Sequence, residues 1–342
     1  MSGSRNAPRE LAADAHAPVV RVRAPARLHL GFLDLNGGLS RKFGSLGLAI
    51  DQPVTELTLE RAGKDAVEGV EQSRAIRALN RYKSLLKLQS GYRLCVETAI
   101  PAHAGLGSGT QLAMAVGAAL AQLEGLEADL RALAEMQSRG ARSAIGMAAF
   151  ERGGFVVDGG RGPTDQAPPV VAHAPIPAHW RILLVMDRNR VGVHGAGETA
   201  AFEELPEMRS EVSQEMCRVT LMQLLPALAE QDIAAFGAAV RVIQQHNGAY
   251  FASAQGGGAW TSELVEKTVK QMAELGAVGI GQSSWGPTGF AFVESAARAS
   301  EICAALEASA LADGLEIVIA KGRNQGASVE TAAAGALPAA AG

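Results

Sequence analysis

Residues 101–110, PAHAGLGSGT, place three glycines at alternate positions directly before a regularly spaced apolar run. Leu112, Val116, Leu120 and Leu123 recur at helical spacing, so a helix is predicted to begin within this stretch. Glycine lets a backbone approach a ligand closely and adopt positive φ. Free N–H groups at the start of a helix, together with the helix dipole, favour a bound anion. The stretch therefore predicts a strand-to-helix turn that binds a phosphorylated small molecule.

The details of this turn narrow its class and leave one alternative open. Ser108 and Gln111 have the spacing of a capping box, which favours Ser108 as the N-cap. No Gly-Lys-Ser/Thr sequence follows, which excludes a Walker A loop, and the glycine spacing disfavours a dinucleotide-binding fingerprint. A turn that needs its glycines for close packing alone remains the alternative. The candidate phosphate-binding residues are Gly105, Leu106, Gly107, Ser108, Gly109 and Thr110.

The composition is that of a soluble globular protein. The chain has 342 residues, of which 48% are hydrophobic and 19% charged, enough for two packed lobes. A net charge of -4 argues against a nucleic-acid or polybasic membrane-binding protein. The cysteines Cys95, Cys217 and Cys303 lack metal-ligand spacing and fit a reducing compartment. With no signal-peptide core or membrane-length apolar run, we expect a cytoplasmic protein without membrane or nucleic-acid partners.

The organisation of the chain predicts an α+β fold with mixed sheets, because strands and helices alternate without a regular βαβ rhythm. Residues 1–17 are polar and alanine-rich and are predicted to be a disordered tail. A proline-rich crossing at 167–177 is predicted to separate an N-terminal domain, 18–175, from a C-terminal domain, 176–325. Residues 326–342 are rich in Ala, Gly and Ser and are predicted to be a flexible tail.

Four segments together resemble one known family. The turn at 101–110 is similar to the second motif of the GHMP kinase superfamily, whose loop binds nucleotide phosphates. Three further segments narrow the resemblance: 24–32 (APARLHLGF), 142–160 (RSAIGMAAFERGGFVVDGG) and 281–290 (GQSSWGPTGF). Over about residues 19 to 325, the combination resembles the β-ribofuranosylaminobenzene 5'-phosphate synthase family, a branch of the superfamily whose members are not kinases.

The resemblance implies both a fold and an activity. The implied fold is the two-lobed GHMP kinase-like fold, with an N-terminal domain like ribosomal S5 domain 2 and a ferredoxin-like C-terminal domain. The implied reaction joins phosphoribosyl diphosphate to 4-aminobenzoate or 4-hydroxybenzoate. It gives a C-riboside 5'-phosphate, carbon dioxide and diphosphate, early in methanopterin biosynthesis. Mg²⁺ is the implied cofactor, and a homodimer is expected.

Two departures from the kinase motifs disfavour ATP as a substrate. Where kinases carry a run of glycines, this chain has Gln-Ser-Ser-Trp-Gly-Pro at 282–287. Gly109 stands where kinases commonly have a serine. No ATP requirement is therefore expected. A GHMP-type small-molecule kinase and a non-catalytic phosphosugar-binding protein of the same fold remain as alternatives, and the retained Arg27 and Asp158 disfavour the second.

Positive charge is needed where diphosphate leaves the anomeric carbon, because negative charge develops on the leaving group as the oxocarbenium-like transition state forms. Arg27 and Arg142 lie inside matched segments, and Arg161 follows one of them. A guanidinium binds phosphate oxygens bidentately, so these three arginines are the candidate counter-charges, with a solvated surface role as the alternative.

Three further residues are candidates for catalysis. His29 and His194 are predicted to contact the ligand, and either could deprotonate a hydroxyl group on the aromatic acid. Packing inside the protein is the alternative for His29. Asp158 ends a predicted strand before two glycines, which suits an Mg²⁺ ligand or a contact to ribose hydroxyls, with an Asx turn as the alternative. Together with Arg27, they form the predicted catalytic set, and Ser108 and Asp158 are the predicted metal ligands.

The other predicted substrate-binding residues lie in the matched segments and in the glycine-flanked stretch after His194. Trp285 suits stacking on an aromatic substrate, although a buried core tryptophan is an equal alternative. The set comprises Ser143, Gly159, Gly160, Gly195, Glu198, Gln282, Ser283, Ser284, Trp285 and Gly286.

Overall fold

A long antiparallel ribbon of two strands forms the centre of the first sheet. The computed structural model describes residues 18–127, 129, 132, 142–164, 166–193, 195–309 and 314–333. Strand β1 (Pro18–Asp34) pairs with β2 (Gly44–Ala62) along most of its length. The register shifts just before Ala26 and again just after His29. Such shifts bend a strand and change the direction of its side chains, and these two lie on either side of Arg27.

Five shorter strands complete this sheet. They are β3 (Ala66–Gly69), β4 (Gly91–Thr98), β5 (Phe155–Asp158), β6 (Val170–Ala174) and β11 (Ser328–Ala333). The order is β11-β1-β2-β4-β3, with β5 beside β2 and β6 beside β5. The pair β3–β4 is parallel and the other pairs are antiparallel.

Three helices are packed with the first sheet. They are α1 (Gln72–Leu85), α2 (Ser108–Glu124) and α3 (Ile145–Glu151). Most residues of α2 are buried because it lies between the sheet and its neighbouring helices. Its Gly117 lies directly against Tyr82 of α1, where a Cβ would come within 2.6 Å of the ring. This close contact holds the middle of α2 against α1.

The second sheet has four antiparallel strands. They are β7 (Arg181–Asp187), β8 (Val278–Gln282), β9 (Gly289–Val293) and β10 (Leu315–Ala320), in the order β10-β7-β9-β8. The accompanying helices are α4 (Ala196–Glu204), α5 (Ser210–Val219), a π-helical turn (Thr220–Leu224), α6 (Leu225–Glu230), α7 (Ile233–Phe251), a 3₁₀ turn (Ala252–Gln255), α8 (Glu263–Glu274) and α9 (Ala296–Ala308).

One apolar core joins the two sheets. It contains Leu28 and Leu46 from the first sheet, Leu184 and Phe292 from the second, and Phe236 from α7. Each of these side chains is almost fully buried, and burying a side chain of this size contributes about 1.5–3 kcal/mol. The shared core therefore fixes β1 against the second sheet, and β1 carries two of the predicted site residues.

The α+β organisation predicted from the sequence is confirmed, whereas part of the predicted C-terminal tail is wrong. Ser328–Ala333 is not a flexible segment, since it pairs with β1 in an antiparallel register from Arg23 to Pro18. Residues 1–17 and 334–342 lie outside the described part of the chain. Within the described part, no helix has the length and apolar character needed to cross a membrane.

Candidate functional site

The glycine-rich turn leads into α2 as predicted, but the predicted capping box is wrong. Gly107, with φ 83°, is the N-cap, and Ser108 is the first helical residue, so its hydroxyl does not cap the helix. The carbonyl of Gly107 accepts hydrogen bonds from the N–H groups of Thr110 and Gln111, both at 3.1 Å. The N–H groups of Ser108 and Gly109 donate to no other group in the described chain. These two donors face outward at the positive end of the helix dipole, as an anion site requires.

The turn is held in place by β1 and by the connection between β8 and β9. Arg27 donates through its guanidinium to the carbonyl of Gly105 and through its backbone N–H to that of Leu106, at 3.1 Å. Ser283 donates its hydroxyl to the Gly105 carbonyl at 2.7 Å. Gly105 has φ 74°, and a Cβ there would lie 2.2 Å from the Ser283 carbonyl oxygen, so this position requires glycine. Leu106 is fully buried, which makes it an anchor of the turn.

An arginine-lined cavity lies beside the free N–H groups. The guanidinium of Arg74 donates to the Ser108 hydroxyl at 3.2 Å and also pairs with Glu71 at 3.1 Å. Arg74, Arg77 and Arg81, together with the first turns of α2, line a cavity of about 230 Å³. These arginines are not among the site residues predicted from the sequence. Their spacing of i, i+3 and i+7 on a charged helix was the available signal, because it places all three on one face.

His29 is buried, and its imidazole is without hydrogen-bond partners. Its side chain is 3% exposed, and neither ring nitrogen has a partner in the described chain. Burial, and then the positive charge of Arg27, lower the pKa of His29 to about 3. The ring lies 4.7 Å from that of Phe32. At neutral pH His29 is therefore an uncharged imidazole with one free donor and one free acceptor, and it is a weak base.

Arg27 and Arg142 share one acidic neighbour on α4. Burial lowers the pKa of Arg27 to about 10, and the negative charge of Glu198 acts in the opposite direction. Arg142 pairs with Glu198 at 2.9 Å, donates to the Thr199 hydroxyl at 2.9 Å, and lies 5.0 Å from the ring centre of Phe202. The structure thus brings together three of the predicted site residues. Because Glu198 already balances one of the two positive charges, a single net positive charge is left for a ligand.

Asp158 is an organising residue whose acceptor positions are already occupied. It is 1% exposed, and its carboxylate accepts five hydrogen bonds. The donors are the N–H groups of Ser45, Ala144 and Gly160 at 3.2, 2.9 and 3.0 Å, and the hydroxyls of Ser45 and Ser143 at 2.6 and 3.2 Å. Burial raises the pKa of Asp158, and these donors act in the opposite direction. The carboxylate joins β2 to the start of α3 and has no position left for a substrate.

The predicted magnesium ligands do not fit the ion. A metal at Asp158 would have to displace hydrogen bonds from buried donors. The hydroxyl of Ser108 contacts the positively charged Arg74, which is an unfavourable neighbour for a cation. The described chain also contains no cluster of three or more His, Cys, Asp or Glu side chains that could hold a metal. No step of the reaction is therefore assigned to a metal ion held by these two residues.

The segment 282–286 lies beside the glycine-rich turn, and the side chains of Gln282, Ser283 and Trp285 are buried in the protein. The Gln282 side chain accepts a hydrogen bond from the N–H group of Thr261 at 2.7 Å. The backbone N–H of Ser284 donates to the carbonyl of His29 at 3.1 Å. Since Ser283 is fully buried as well, these residues support the turn and β1. Their predicted contact with phosphate stays a prediction.

Trp285 is a core residue, the alternative that the sequence left open. It is 5% exposed, and its ring packs at 5.4 Å from Phe202 and 4.6 Å from Phe251. Gly286 is restricted by close packing, because a Cβ there would lie 2.6 Å from the side chain of Gln282. Neither residue is placed to stack on a substrate.

The remaining predicted residues lie around the hairpin end of β5 and the start of α4. The carbonyls of Gly159 and Gly160 accept hydrogen bonds from Arg41 at 2.7 and 2.6 Å. Arg161 is exposed, and its backbone pairs with that of Lys42. Gly195 is the N-cap of α4, and Ser143 bonds to the Ser45 hydroxyl at 2.8 Å. His194 lies outside the described residues.

Comparison with known proteins gives the class of protein first. The GHMP kinases N terminal domain matches residues 72–154, and the GHMP kinases C terminal domain matches residues 224–312. The fold is similar to that of homoserine kinase from Cytophaga hutchinsonii, with a TM-score of 0.66, 19% identity and coverage of 95% of this chain and 100% of that one. Mevalonate diphosphate decarboxylase from Staphylococcus aureus gives a TM-score of 0.63 at 17% identity, covering 91% and 98%. The protein has the GHMP kinase-like fold.

Curated relatives then give the family. A β-ribofuranosylphenol 5'-phosphate synthase from Archaeoglobus fulgidus is 32% identical over 326 residues, which cover 91% of this chain and 100% of the relative. The protein of the same name from Methanothermobacter thermautotrophicus is 30% identical over 328 residues, covering 90% and 97%. The chain belongs to the β-ribofuranosylphenol 5'-phosphate synthase family. The family and the enzyme class predicted from the four motifs are confirmed.

Proposed function

We propose that the protein is a decarboxylating phosphoribosyltransferase that joins phosphoribosyl diphosphate to 4-hydroxybenzoate. The observation that carries this proposal is the pair of free N–H groups at the start of α2, which lie beside the arginines of α1. Membership of the family supports the formation of a riboside 5'-phosphate. The word phenol in the relatives' name supports 4-hydroxybenzoate over 4-aminobenzoate as the acceptor.

The leaving diphosphate is assigned to the start of α2. As the bond from the anomeric carbon to oxygen breaks, its electron pair goes to the diphosphate. The N–H groups of Ser108 and Gly109 and the guanidinium groups of Arg74 and Arg77 then stabilise the developing negative charge. Arg27 holds the turn in the conformation that presents these donors.

The acceptor ring is assigned to the aromatic wall beside His29. Phe43 and Phe202 are half-buried, with ring centres 5.3 Å apart, and Arg142 lies over the second ring. The ring carbon that carries the carboxylate forms the bond to the sugar. Its bond to the carboxylate then breaks, carbon dioxide leaves, and the electron pair restores the aromatic ring.

No ring proton is removed in this sequence, so a strong base is unnecessary. The weakly basic His29 suits this chemistry, and we assign to it a hydrogen bond with the hydroxyl group of the acceptor. That hydrogen bond orients the hydroxyl, whose oxygen donates electrons towards the reacting ring carbon.

A labelled-substrate assay tests the proposal against its alternatives. Purified protein is given phosphoribosyl diphosphate and carboxyl-labelled 4-hydroxybenzoate, with 4-aminobenzoate in a parallel reaction. Labelled carbon dioxide and free diphosphate without ATP support the synthase, and the faster acceptor identifies the aromatic acid. Formation of ADP from ATP with a small alcohol would instead identify a kinase. If neither reaction occurs while phosphoribosyl diphosphate binds, the protein is a phosphosugar-binding protein.

We further propose a cytoplasmic homodimer that uses Mg²⁺ and does not use ATP. Magnesium is expected from the family resemblance, and no ATP requirement is expected from the departures at 282–287 and Gly109. Both expectations are tested in the same assay, by adding a chelator and by leaving ATP out. Light scattering on the purified protein tests the dimer, for which a mass of twice 35.4 kDa is expected.

A further inference from the structure

A second cavity lies beside the first residues of the glycine-rich turn. Residues of β2, of β10 and of the end of β7 also line it. Its volume is about 550 Å³, larger than the arginine-lined cavity and within the range of small-molecule sites. The described residues that line it do not include Arg27, His29, Glu198 or Arg74. It is therefore separate from the site assigned to the reaction.

Short apolar side chains form one part of the wall of this second cavity, beside polar and charged residues. Among the lining residues are Pro53, Pro101, Pro287, Ala99, Ala102 and Ala104. Prolines have a restricted backbone and alanines have no side-chain torsion to freeze, so little conformational entropy is lost when a ligand binds. Rigid apolar walls of this kind suit a flat hydrocarbon ring.

Two polar groups in the lining are without partners. Thr288 is fully buried, and its hydroxyl has no hydrogen-bond partner in the described chain. A buried hydroxyl without a partner is unfavourable, and a ligand oxygen would relieve that cost. Arg190 is exposed at the cavity and forms no ion pair within the described residues. The neighbouring Arg188 is paired with Glu316 at 2.8 Å, which leaves Arg190 as the free positive charge.

Besides Glu316, the acidic residue in the lining is Asp187, and it does not strongly oppose an anion at Arg190. Asp187 is 8% exposed. Its carboxylate accepts hydrogen bonds from the hydroxyl of Ser262 at 2.7 Å and from the N–H group of Asn189 at 2.9 Å. Both carboxylate oxygens are engaged inside the protein, and no ion pair joins this carboxylate to Arg190 within the described residues.

We propose that this cavity binds a small arylalkanoate, a carboxylate joined to an aromatic ring through a short alkyl chain, as an effector. The ring occupies the apolar walls, the carboxylate pairs with Arg190, and a carboxylate oxygen accepts a hydrogen bond from the Thr288 hydroxyl. The inference goes beyond the proposed reaction, because the effector is bound and not transformed.

Direct contacts connect this cavity to the phosphate turn. The carbonyl of Thr288 accepts a hydrogen bond from the N–H group of Ser283 at 2.9 Å, and Ser283 in turn holds the Gly105 carbonyl. Next to the lining residue Val191, Gly192 donates its N–H to the carbonyl of His103, within the turn, at 3.1 Å. A ligand that orders both walls restrains the turn, so an anion at α2 and the effector are expected to strengthen each other's binding.

Binding of 3-phenylpropanoate to the full-length protein, measured by calorimetry, tests the site. This probe lacks the para hydroxyl or amino group that an acceptor needs. Arg190→Ala should weaken binding roughly fivefold, since it removes a charge-assisted contact. Val191→Trp, at an exposed position that lines the cavity, should abolish binding by filling it. Arg209→Ala removes another exposed arginine and should leave binding unchanged.

The remaining measurements separate this site from the reaction site. The probe should stay bound when phosphoribosyl diphosphate is saturating, and its affinity should rise. Amide hydrogen exchange at Gly105–Gln111 should slow when the probe is present. Thr288→Val should weaken probe binding while the protein stays folded, because the variant removes an unpartnered hydroxyl. Absence of binding, displacement by phosphoribosyl diphosphate, equal affinity in Arg190→Ala, or a matching loss in Arg209→Ala would each overturn the proposal. These outcomes do not depend on whether the riboside is formed.

Discussion

At the scale of single residues, burial decides what each charged or polar group of the site can do. His29 and Asp158 are both almost fully buried, but His29 has two free ring nitrogens whereas Asp158 accepts five hydrogen bonds. We propose that the first contacts a substrate, whereas the second holds β2 to α3. The motifs indicate that both residues matter. They do not distinguish the two roles, which depend on neighbours such as Ser45, distant in the sequence.

The buried His29 should make the stability of the protein depend on pH. Its pKa is lowered from 6.5 to about 3 in the folded state, so below pH 6.5 the unfolded state binds more protons. The contribution is complete above pH 6.5 and is lost as the pH falls towards 3. Between pH 6 and 4, the free energy of unfolding should fall by about 1.4 kcal/mol per pH unit through this one group.

Urea unfolding of the wild type and of His29→Gln across this pH range isolates the effect of the imidazole. The variant keeps a polar side chain of similar length and loses the titrating group. Its free energy of unfolding should therefore fall less steeply as the pH is lowered, by about 1.4 kcal/mol per pH unit. Equal slopes for the two proteins would show that the imidazole is not held neutral in the folded state.

At the scale of secondary-structure elements, α2 has a left-handed glycine at each end. Gly107 has φ 83° and a Cβ there would lie 3.0 Å from the Arg27 side chain, whereas Gly125 has φ 65° and open space around it. Substitution of either glycine by alanine should cost about 1–2 kcal/mol of stability from the backbone conformation. Gly107→Ala alone should also disturb Arg27 and weaken the binding of inorganic diphosphate.

Gly125→Ala therefore serves as the matched control, with chemical denaturation and calorimetry as the two measurements. If both variants bound diphosphate as the wild type does, the start of α2 would not be the anion site.

The arginine face of α1 provides a second test at this scale. Arg77 is exposed and lines the arginine cavity, so Arg77→Ala should leave the fold intact and reduce the affinity for inorganic diphosphate roughly tenfold. Arg93→Ala is the control, because Arg93 is an exposed arginine of β4 that pairs with Glu60 and Glu68. A loss of the same size in both variants would indicate general charge attraction and contradict a specific site.

The sequence could predict the glycine-rich turn at 101–110 but not the arginine face of α1 next to it. The turn is a local pattern, since its glycines and the apolar stripe of α2 lie within about twenty residues. The contribution of Arg74 and Arg77 depends on how α1 packs on α2, which follows from the contact between Tyr82 and Gly117. The predicted capping box failed for a related reason. The left-handed Gly107 shifts the helix start by one residue and takes the capping function from Ser108.

At the scale of the whole molecule, the two sheets share one core, and the chain returns to the first sheet at its end. The motifs predicted this fold because they lie at the contacts between the lobes, where Ser283 meets both Gly105 and His29. The strand β11 was missed, because its sequence SVETAA has little apolar character and its partner β1 lies about 300 residues earlier. A pairing of this kind depends on an open sheet edge, which local composition does not reveal.

Two truncations test the role of β11. Removal of residues 327–342 deletes the strand that pairs with β1 from Pro18 to Arg23 and leaves the backbone of that edge without hydrogen-bond partners. It should lower the free energy of unfolding by about 2 kcal/mol and the Tm by about 4 °C or more. Removal of residues 334–342 keeps the strand and serves as the control. The shorter protein should also aggregate more readily on heating, because an open strand edge pairs with other chains. If both truncated proteins melted at the same temperature, β11 would contribute nothing to stability, and the first sheet would be complete without its C-terminal strand.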